Sequence, residues 1–255
     1  GGCDFYKPSQ NLVNAFRTNK DGLPYLDTFN DNDYDKSLDF ADPRLFLTVG
    51  IPGLPYEFNA DFIMDRTATW SRSNGLYGYY VSLKHNVDPT CDYLVKGGWW
   101  GSPMNHIVLR YSDVLLMRAE AMIQLNAGIP QAIELINEVR NRAKASLGMI
   151  ADYEKLYGVH ISVEPYRGSY SQDEAMKILK HERRVELAME SDRFFDLVRW
   201  GEAQQVINKY YAEEASKCAI YSGADFRANQ NEYLPIPHAQ ISASSGHYTQ
   251  NIGIW

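Results

Sequence analysis

The hydrophobic positions repeat at helical spacing over residues 111–145. One apolar stripe consists of Leu115, Ala119, Met122 and Ile123, and a second consists of Ile133, Ile136, Val139 and Ala143. Asn126-Ala127-Gly128 separates the stripes, and Pro130 suits the first turn of the second helix. Two helices joined by so short a turn must lie antiparallel. The pattern therefore predicts an antiparallel helix pair, with Ser112 as the N-cap of its first helix.

A second helical part spans residues 171–210. It opens with Ser171-Gln172-Asp173-Glu174, which has the spacing of a capping box. The positions Ala175, Leu179, Glu182, Val185 and Met189 then share one mostly apolar helix face. Glu190-Ser191-Asp192 interrupts the pattern, and Arg193 to about Lys209 is predicted to form a partner helix.

The remaining sequence predicts loops and a few short strands. Residues 54–105 combine many aromatic side chains with repeated glycines, while Leu45 to Val49 and Leu76 to Lys84 suit strands. Pro235 and Pro237 favour an extended C-terminal segment. We expect a mainly α fold with TPR-like antiparallel helix pairs, long irregular aromatic-rich loops and few strands. Residues 1–110 form a loop-rich part with a candidate ligand surface, and residues 111–255 form a helical part.

A dense set of charged residues follows the capping box. Between His181 and Gly201 the set contains nearly equal numbers of arginines and carboxylates, and no lysine. The planar guanidinium can hold a carboxylate through two parallel hydrogen bonds, which favours a fixed network over a mobile surface. We interpret the set as a structural ion network rather than a catalytic one. Its predicted members are Glu182, Arg183, Glu186, Arg193, Asp196 and Arg199.

Composition narrows the classes of partner. The net charge of −7 argues against nucleic acid or an anionic membrane as the main partner. Aromatic residues make up 13% of the chain, including 18 tyrosines and 5 tryptophans, and such residues suit partly wet recognition surfaces.

Motifs for catalysis, cofactors and metals are missing from the sequence. The three cysteines and six histidines show no metal-ligand spacing, and no phosphate-binding loop or nucleophile elbow occurs. We predict no cofactor, no metal and no enzyme, although sequence alone does not exclude a glycosidase-like carboxylate pair. Asp31, Asp33 and Asp35 alternate like the start of a calcium loop, but Lys36 stands where that loop needs glycine. A solvated acidic loop is the preferred interpretation.

Several segments, in order, resemble the SusD/RagB family. They are PSQNLVNAF, ADPRLFLTV, LYGYYVSLK, RYSDVLLMRAEAMIQLN with AIELINEVRNRA, ERRVELAMESDRFFDLVRWG and the closing NEYLPIPHAQ stretch. Together they cover essentially the whole chain. The end departs from the family pattern at Ser242, His247 and Ile252, and Trp255 replaces the more common tyrosine.

The resemblance implies a glycan-binding lipoprotein on the cell-surface side of a bacterial outer membrane. It implies an oligosaccharide or polysaccharide ligand and a SusC-like TonB-dependent transporter as partner, with the membrane contacted only through a lipid anchor in a missing N-terminal part. The chain looks like the C-terminal half of such a protein. We therefore expect an exposed apolar patch on the helix pair at 111–145, where repeat helices of the other half would pack.

Residues 66–100 are the predicted glycan surface. Trp70, Tyr80, Trp99 and Trp100 are candidates for stacking on sugar C–H faces, and Arg72 and Asn74 for hydrogen bonds to hydroxyls. The alternative for the adjacent tryptophans is that they fix this loop region to the helices. The alternative function is a TPR-like protein-interaction scaffold without sugar binding, which would place its interaction residues on the helix faces.

Overall fold

Helices supply most of the regular structure in the computed structural model, which describes residues 6–65, 73–95, 97, 101–102 and 104–253. The predicted mainly α fold with few short strands is confirmed. The chain divides into two units, Gly1–Ser191 and Asp192–Trp255.

The first unit contains seven of the helices in the described residues. They are α1 (Gln10–Ala15), α2 (Arg44–Thr48), α3 (Asn74–Tyr77), α4 (Tyr111–Gln124), α5 (Ile129–Ala145), α6 (Tyr153–Tyr157) and α7 (Gln172–Glu186). A 3₁₀ helix at Ser146–Ile150 follows α5.

Small sheets connect the loops of this unit. The strands are β1 (Arg17–Thr18), β2 (Phe40–Ala41), β3 (Val49–Gly50), β4 (Pro55–Tyr56), β5 (Asn59–Ile63), β6 (Val81–Ser82) and β7 (His160–Ile161). The order β1-β2-β7 forms one sheet, antiparallel between β1 and β2 and parallel between β2 and β7. The pairs β3–β6 and β4–β5 are antiparallel.

The helices α4 and α5 form the predicted pair. Gly128 adopts a left-handed conformation (φ 80°) before α5, a backbone region that favours glycine. The helix α7 packs against both α4 and α5. Their shared core includes Leu116, Ile123, Ile136 and Leu179, which are all almost completely buried.

The start of α4 differs from the prediction. Arg110, not Ser112, occupies the N-cap position and makes no side-chain capping bond. The Ser112 hydroxyl instead accepts a hydrogen bond from the Arg110 guanidinium, so it is not available to cap the helix. By contrast, the predicted capping box at the start of α7 is confirmed, since Ser171 and Glu174 each bond the other's backbone N–H.

The two strand predictions in the loop-rich part are wrong for most of the residues they cover. Residues 44–48 form α2, because the Asp42 carboxylate accepts the Arg44 N–H at 3.0 Å and stabilises a helical turn; only Val49 continues into a strand. Residues 76–84 divide into the end of α3, a turn at Gly78 (φ 82°) and the two-residue strand β6.

The second unit contains α8 (Asp192–Arg199), α9 (Ala203–Glu214), a 3₁₀ turn (Ala219–Tyr221) and α10 (His238–Ala243). The single partner helix predicted from Arg193 to Lys209 is interrupted at Gly201, whose φ of 72° is incompatible with a continuous helix. The helices α8 and α9 pack around Leu197, Ala203 and Phe226. The C-terminal stretch is extended as far as Pro237, but α10 begins directly after it.

Candidate functional site

The predicted glycan surface is only partly described. Trp70, Arg72, Trp99 and Trp100 lie outside the residues that the structure describes. Asn74 is half-buried and begins α3, directly after Ser73 in a left-handed conformation (φ 42°).

Tyr80 lies in the interior of the first unit. It is 5% exposed, and its hydroxyl donates a hydrogen bond of 2.6 Å to Gln10 Oε1. The amide of Gln10 in turn donates to Asn14 Oδ1 at 2.8 Å. Because its ring packs in the core, Tyr80 offers no exposed face for stacking on a sugar.

The predicted ion network is buried at its centre. Glu182 lies on the apolar face of α7 and is completely buried. Its two carboxylate oxygens accept hydrogen bonds from Arg44 Nη1 at 2.6 Å and from Arg140 Nη1 at 3.1 Å. A buried charge is tolerated where it is paired and hydrogen-bonded, and here each carboxylate oxygen accepts from an arginine.

Arg44 joins three carboxylates. Its Nε and Nη2 donate to the two oxygens of Asp42, at 2.9 and 2.6 Å, in a bidentate pair. Its Nη1 bonds Glu186 at 2.9 Å in addition to Glu182. A lysine in this position could not reproduce the planar geometry of these contacts.

Glu186 is also completely buried as a side chain and contacts three arginines. Arg142 Nη2 bonds both carboxylate oxygens, at 2.8 and 2.6 Å, and Arg110 Nη1 bonds one of them. Burial by itself would raise the pKa of this carboxyl, but Arg44, Arg110 and Arg142 together outweigh burial and lower the pKa to about 2. Glu186 is therefore a permanent anion at neutral pH.

The outer part of the network closes the C-terminal end of α7. Lys84 Nζ and Arg110 Nη2 donate to the Glu186 backbone carbonyl, at 2.9 and 2.6 Å, where a helix leaves its last carbonyls unpaired. The same two cations bond the Glu190 carboxylate. Met189 (φ 62°) and Ser191 (φ 77°) form the turn that ends this segment.

Arg183 makes a separate buried pair. Its Nη1 donates to Asp113 Oδ1 at 2.7 Å, and both side chains are less than a tenth exposed. Since Asp113 lies in the first turn of α4, this pair connects α7 directly to the helix pair. The geometry is that of a structural link.

The other three predicted network members belong to the second unit. Asp196 Oδ1 accepts from Arg199 Nη2 at 2.7 Å, and the guanidinium of Arg199 lies 4.8 Å from the centre of the Trp200 ring. Burial lowers the pKa of Arg193, whose guanidinium lies 5.9 Å from the same ring. These contacts are cation–π and ion pairs that form around one tryptophan.

Sequence patterns missed most partners of the two central glutamates. The missed side-chain partners of Glu182 and Glu186 are Arg44, Arg110, Arg140 and Arg142. Asp42, which pairs with Arg44, and Lys84, which bonds the Glu186 carbonyl and Glu190, were missed as well. The motif Asp42-Pro43-Arg44 was the available signal, because it placed a carboxylate and a guanidinium together inside an apolar segment.

The acidic loop near Asp31 is held by local hydrogen bonds. Asp35 accepts from the backbone and hydroxyl of Ser37, and Asp33 accepts from the Asn14 amide at 3.1 Å. Within the described ranges, no group of three or more His, Cys, Asp or Glu side chains is arranged to hold a metal ion. No described helix has the length and apolar character needed to cross a bilayer.

Comparison with known proteins identifies the family. The family model described as SusD family matches residues 1–254, so the chain belongs to the SusD family. SusD-like protein P2 of Formosa agariphila is 30% identical over 200 residues, which are 74% of this chain and 36% of that protein.

Two solved structures share the fold. A SusD homolog from Bacteroides thetaiotaomicron has a TM-score of 0.59 at 19% identity, covering 83% of this chain and 40% of its own. A SusD superfamily protein from Bacteroides vulgatus has a TM-score of 0.52 at 22% identity, covering 92% of this chain and 42% of its own. The chain thus spans well under half the length of these relatives.

Proposed function

We propose that this chain takes part in glycan binding within a bacterial outer-membrane nutrient-uptake system, beside a TonB-dependent transporter of the SusC type. The observation that carries the proposal is the SusD family match over residues 1–254. The family resemblance also supports a cell-surface location, with attachment through a lipidated cysteine in the N-terminal part that longer family members have.

The proposed contact surface is the aromatic part of residues 66–100. Trp70, Trp99 and Trp100 have large flat faces that cover sugar C–H groups with little side-chain entropy to lose, and Arg72 and Asn74 can bond sugar hydroxyls. Glu182 and Glu186 of α7 are engaged by arginines of α2 and α5, so the loops are the better source of a recognition surface.

The buried carboxylates of the ion network are not suited to glycoside hydrolysis. A glycosidase needs a carboxylic acid that is still protonated near neutral pH to donate to the leaving group. Glu186 and Asp42 have lowered pKa values, because their arginine partners outweigh burial. Neither carboxylate suits the role of that general acid.

A titration of purified chain with an oligosaccharide panel tests the proposal. Isothermal calorimetry with Trp70→Ala and Trp99→Ala should show weakened binding, by about tenfold for a lost stacking contact. Tyr111→Ala is the matched control, since Tyr111 is 68% exposed on α4 and outside the proposed surface. Unchanged affinity in both tryptophan variants, with the fold intact, would place the site elsewhere.

One observation favours the second candidate, a TPR-like protein-interaction scaffold. An outward stripe of α4 exposes Tyr111, Val114 and Met117, and Leu125 directly after the helix is exposed as well. The same calorimetry separates the two functions. A folded chain that binds no member of a broad glycan panel would favour the scaffold.

A further inference from the structure

The second unit contains a group of three tyrosines, Tyr210, Tyr211 and Tyr221, here called the tyrosine triad. The first two lie near the end of α9, and the 3₁₀ turn brings Tyr221 back against them. The rings of Tyr211 and Tyr221 are nearly parallel, with an interplanar angle of 23° and a centroid separation of 5.7 Å. Tyr210 meets Tyr221 edge to face at 5.0 Å.

Hydrogen bonds fix the geometry of the triad. The Cys218 N–H donates to Glu214 O at 2.8 Å, and the Tyr221 N–H donates to Cys218 O at 3.1 Å, so the turn is continuous with the helix. The Tyr210 hydroxyl donates to the Tyr221 hydroxyl at 2.8 Å. The rings are thereby held in place before any ligand arrives, which reduces the entropy lost on binding.

Two hydroxyl groups of the triad retain unused hydrogen-bonding capacity. Tyr221 accepts from Tyr210, and its own hydroxyl hydrogen has no acceptor in the described part of the chain. The Tyr211 hydroxyl has no partner there either, and it is not among the buried unpaired polar atoms, so it reaches solvent. All three side chains are half-buried. Phenylalanines would pack the turn equally well, so packing alone does not account for the hydroxyls.

We propose that the tyrosine triad is a second saccharide-contact site, which takes a neutral pyranose unit of the glycan. Half-exposed rings suit the C–H face of a pyranose, and the adjacent phenolic hydroxyls suit its hydroxyls. The nearby charges are balanced in pairs, Lys209 with Glu213 and Lys217 with Glu214, which leaves no excess charge to select an acidic sugar. The inference rests on the proposed glycan-binding function.

The ionisation state of Tyr221 is consistent with this role. Burial raises the pKa of its hydroxyl, and the hydrogen bond from Tyr210 opposes that effect only in part. Tyr221 therefore keeps its proton at neutral pH and remains a hydrogen-bond donor.

Calorimetry of the full chain with maltohexaose, cellohexaose, laminarihexaose, xylohexaose and mannohexaose tests the site. For each sugar that binds the intact chain, Tyr221→Phe should weaken affinity about 2- to 10-fold through one lost hydrogen bond. Tyr211→Ala should weaken it about tenfold through a lost ring. Tyr248→Phe, at a tyrosine 55% exposed in the same unit, is the control and should change nothing.

A second measurement keeps the test independent of variant stability. In intact protein carrying ¹³C-labelled tyrosine rings, the binding sugar should shift the Tyr211 and Tyr221 resonances and leave the Tyr248 resonance unchanged. Unchanged affinity in Tyr221→Phe together with unshifted triad resonances would overturn the inference while the glycan-binding function stands. Absence of binding by the intact chain to any of the five sugars would overturn both.

Discussion

Arg44 and Glu182 lie 138 positions apart in sequence, and a hydrogen bond of 2.6 Å joins their side chains, neither of which is more than 4% exposed. The contact attaches the loop-rich part of the chain to α7 through two buried charges. Such a pair gives little net stability relative to apolar packing, but the removal of one partner leaves the other charge uncompensated.

The first prediction concerns Glu186. We expect Glu186→Gln to lower the free energy of unfolding by about 3–5 kcal/mol, because Arg44, Arg110 and Arg142 would lose their shared anion. Urea denaturation measures the loss. Glu164→Gln, in an exposed pair with Lys144, is the control and should leave the midpoint nearly unchanged. If Glu186→Gln keeps its stability but loses glycan binding, the network is functional rather than structural.

The second prediction is a loss of stability in acid. The pKa of Glu186 is about 2 in the folded chain against an ordinary value of 4.5, so the unfolded chain binds more protons between these values. This carboxyl therefore contributes about 3 kcal/mol above pH 4.5, and the contribution disappears as the pH falls toward 2. Urea midpoints at pH 5 and pH 3 measure the slope of stability against pH. A slope that is just as steep in Glu186→Gln would assign the acid sensitivity to other groups.

The third prediction separates charge from geometry at Arg44. We expect Arg44→Lys to lower the free energy of unfolding by about 2–4 kcal/mol, since an ammonium group cannot bond Asp42 in two parallel hydrogen bonds and also reach two glutamates. Arg167→Lys, at an exposed position, should change it by less than about 0.5 kcal/mol. Thermal melts compare both variants with the unchanged chain. A melting temperature for Arg44→Lys equal to that of Arg167→Lys would show that a positive charge alone suffices at position 44.

The fourth prediction compares two leucines of one helical segment. Leu116 is completely buried between the helices α4, α5 and α7, whereas Leu125 at the end of α4 is 77% exposed. Leu116→Ala should cost about 2–5 kcal/mol through the cavity it creates. Leu125→Ala should cost less than about 0.5 kcal/mol. A similar loss in both variants would mean that the outward stripe of α4 is covered in solution.

The fifth prediction concerns the capping box of α7. Ser171→Ala should cost about 1 kcal/mol, because the Glu174 N–H loses its acceptor. Ser171→Asn should retain most of the stability, since asparagine is an equally good N-cap residue. Urea midpoints of the two variants measure their stabilities. An equal loss of stability in both would show that the loss does not come from the N-cap hydrogen bond.

Local sequence determined the main helices and some of their ends. The apolar stripes of α4 and α5, the turn at Gly128 and the capping box at Ser171 depend on contacts within a few residues, so periodicity and capping chemistry suffice to find them. The same pattern placed Glu182 on the buried face of α7, where it does lie.

Tertiary structure alone decided which partners those residues meet. Glu182 is stable in the core only because Arg44 and Arg140 arrive from distant segments, and no local pattern specifies such contacts. Tyr80 shows the same limit, because its aromatic-rich segment predicted a ligand surface while a hydrogen bond to Gln10, 70 positions away, holds it in the core. Local periodicity reports which face of an element is buried, but long-range packing determines what covers that face.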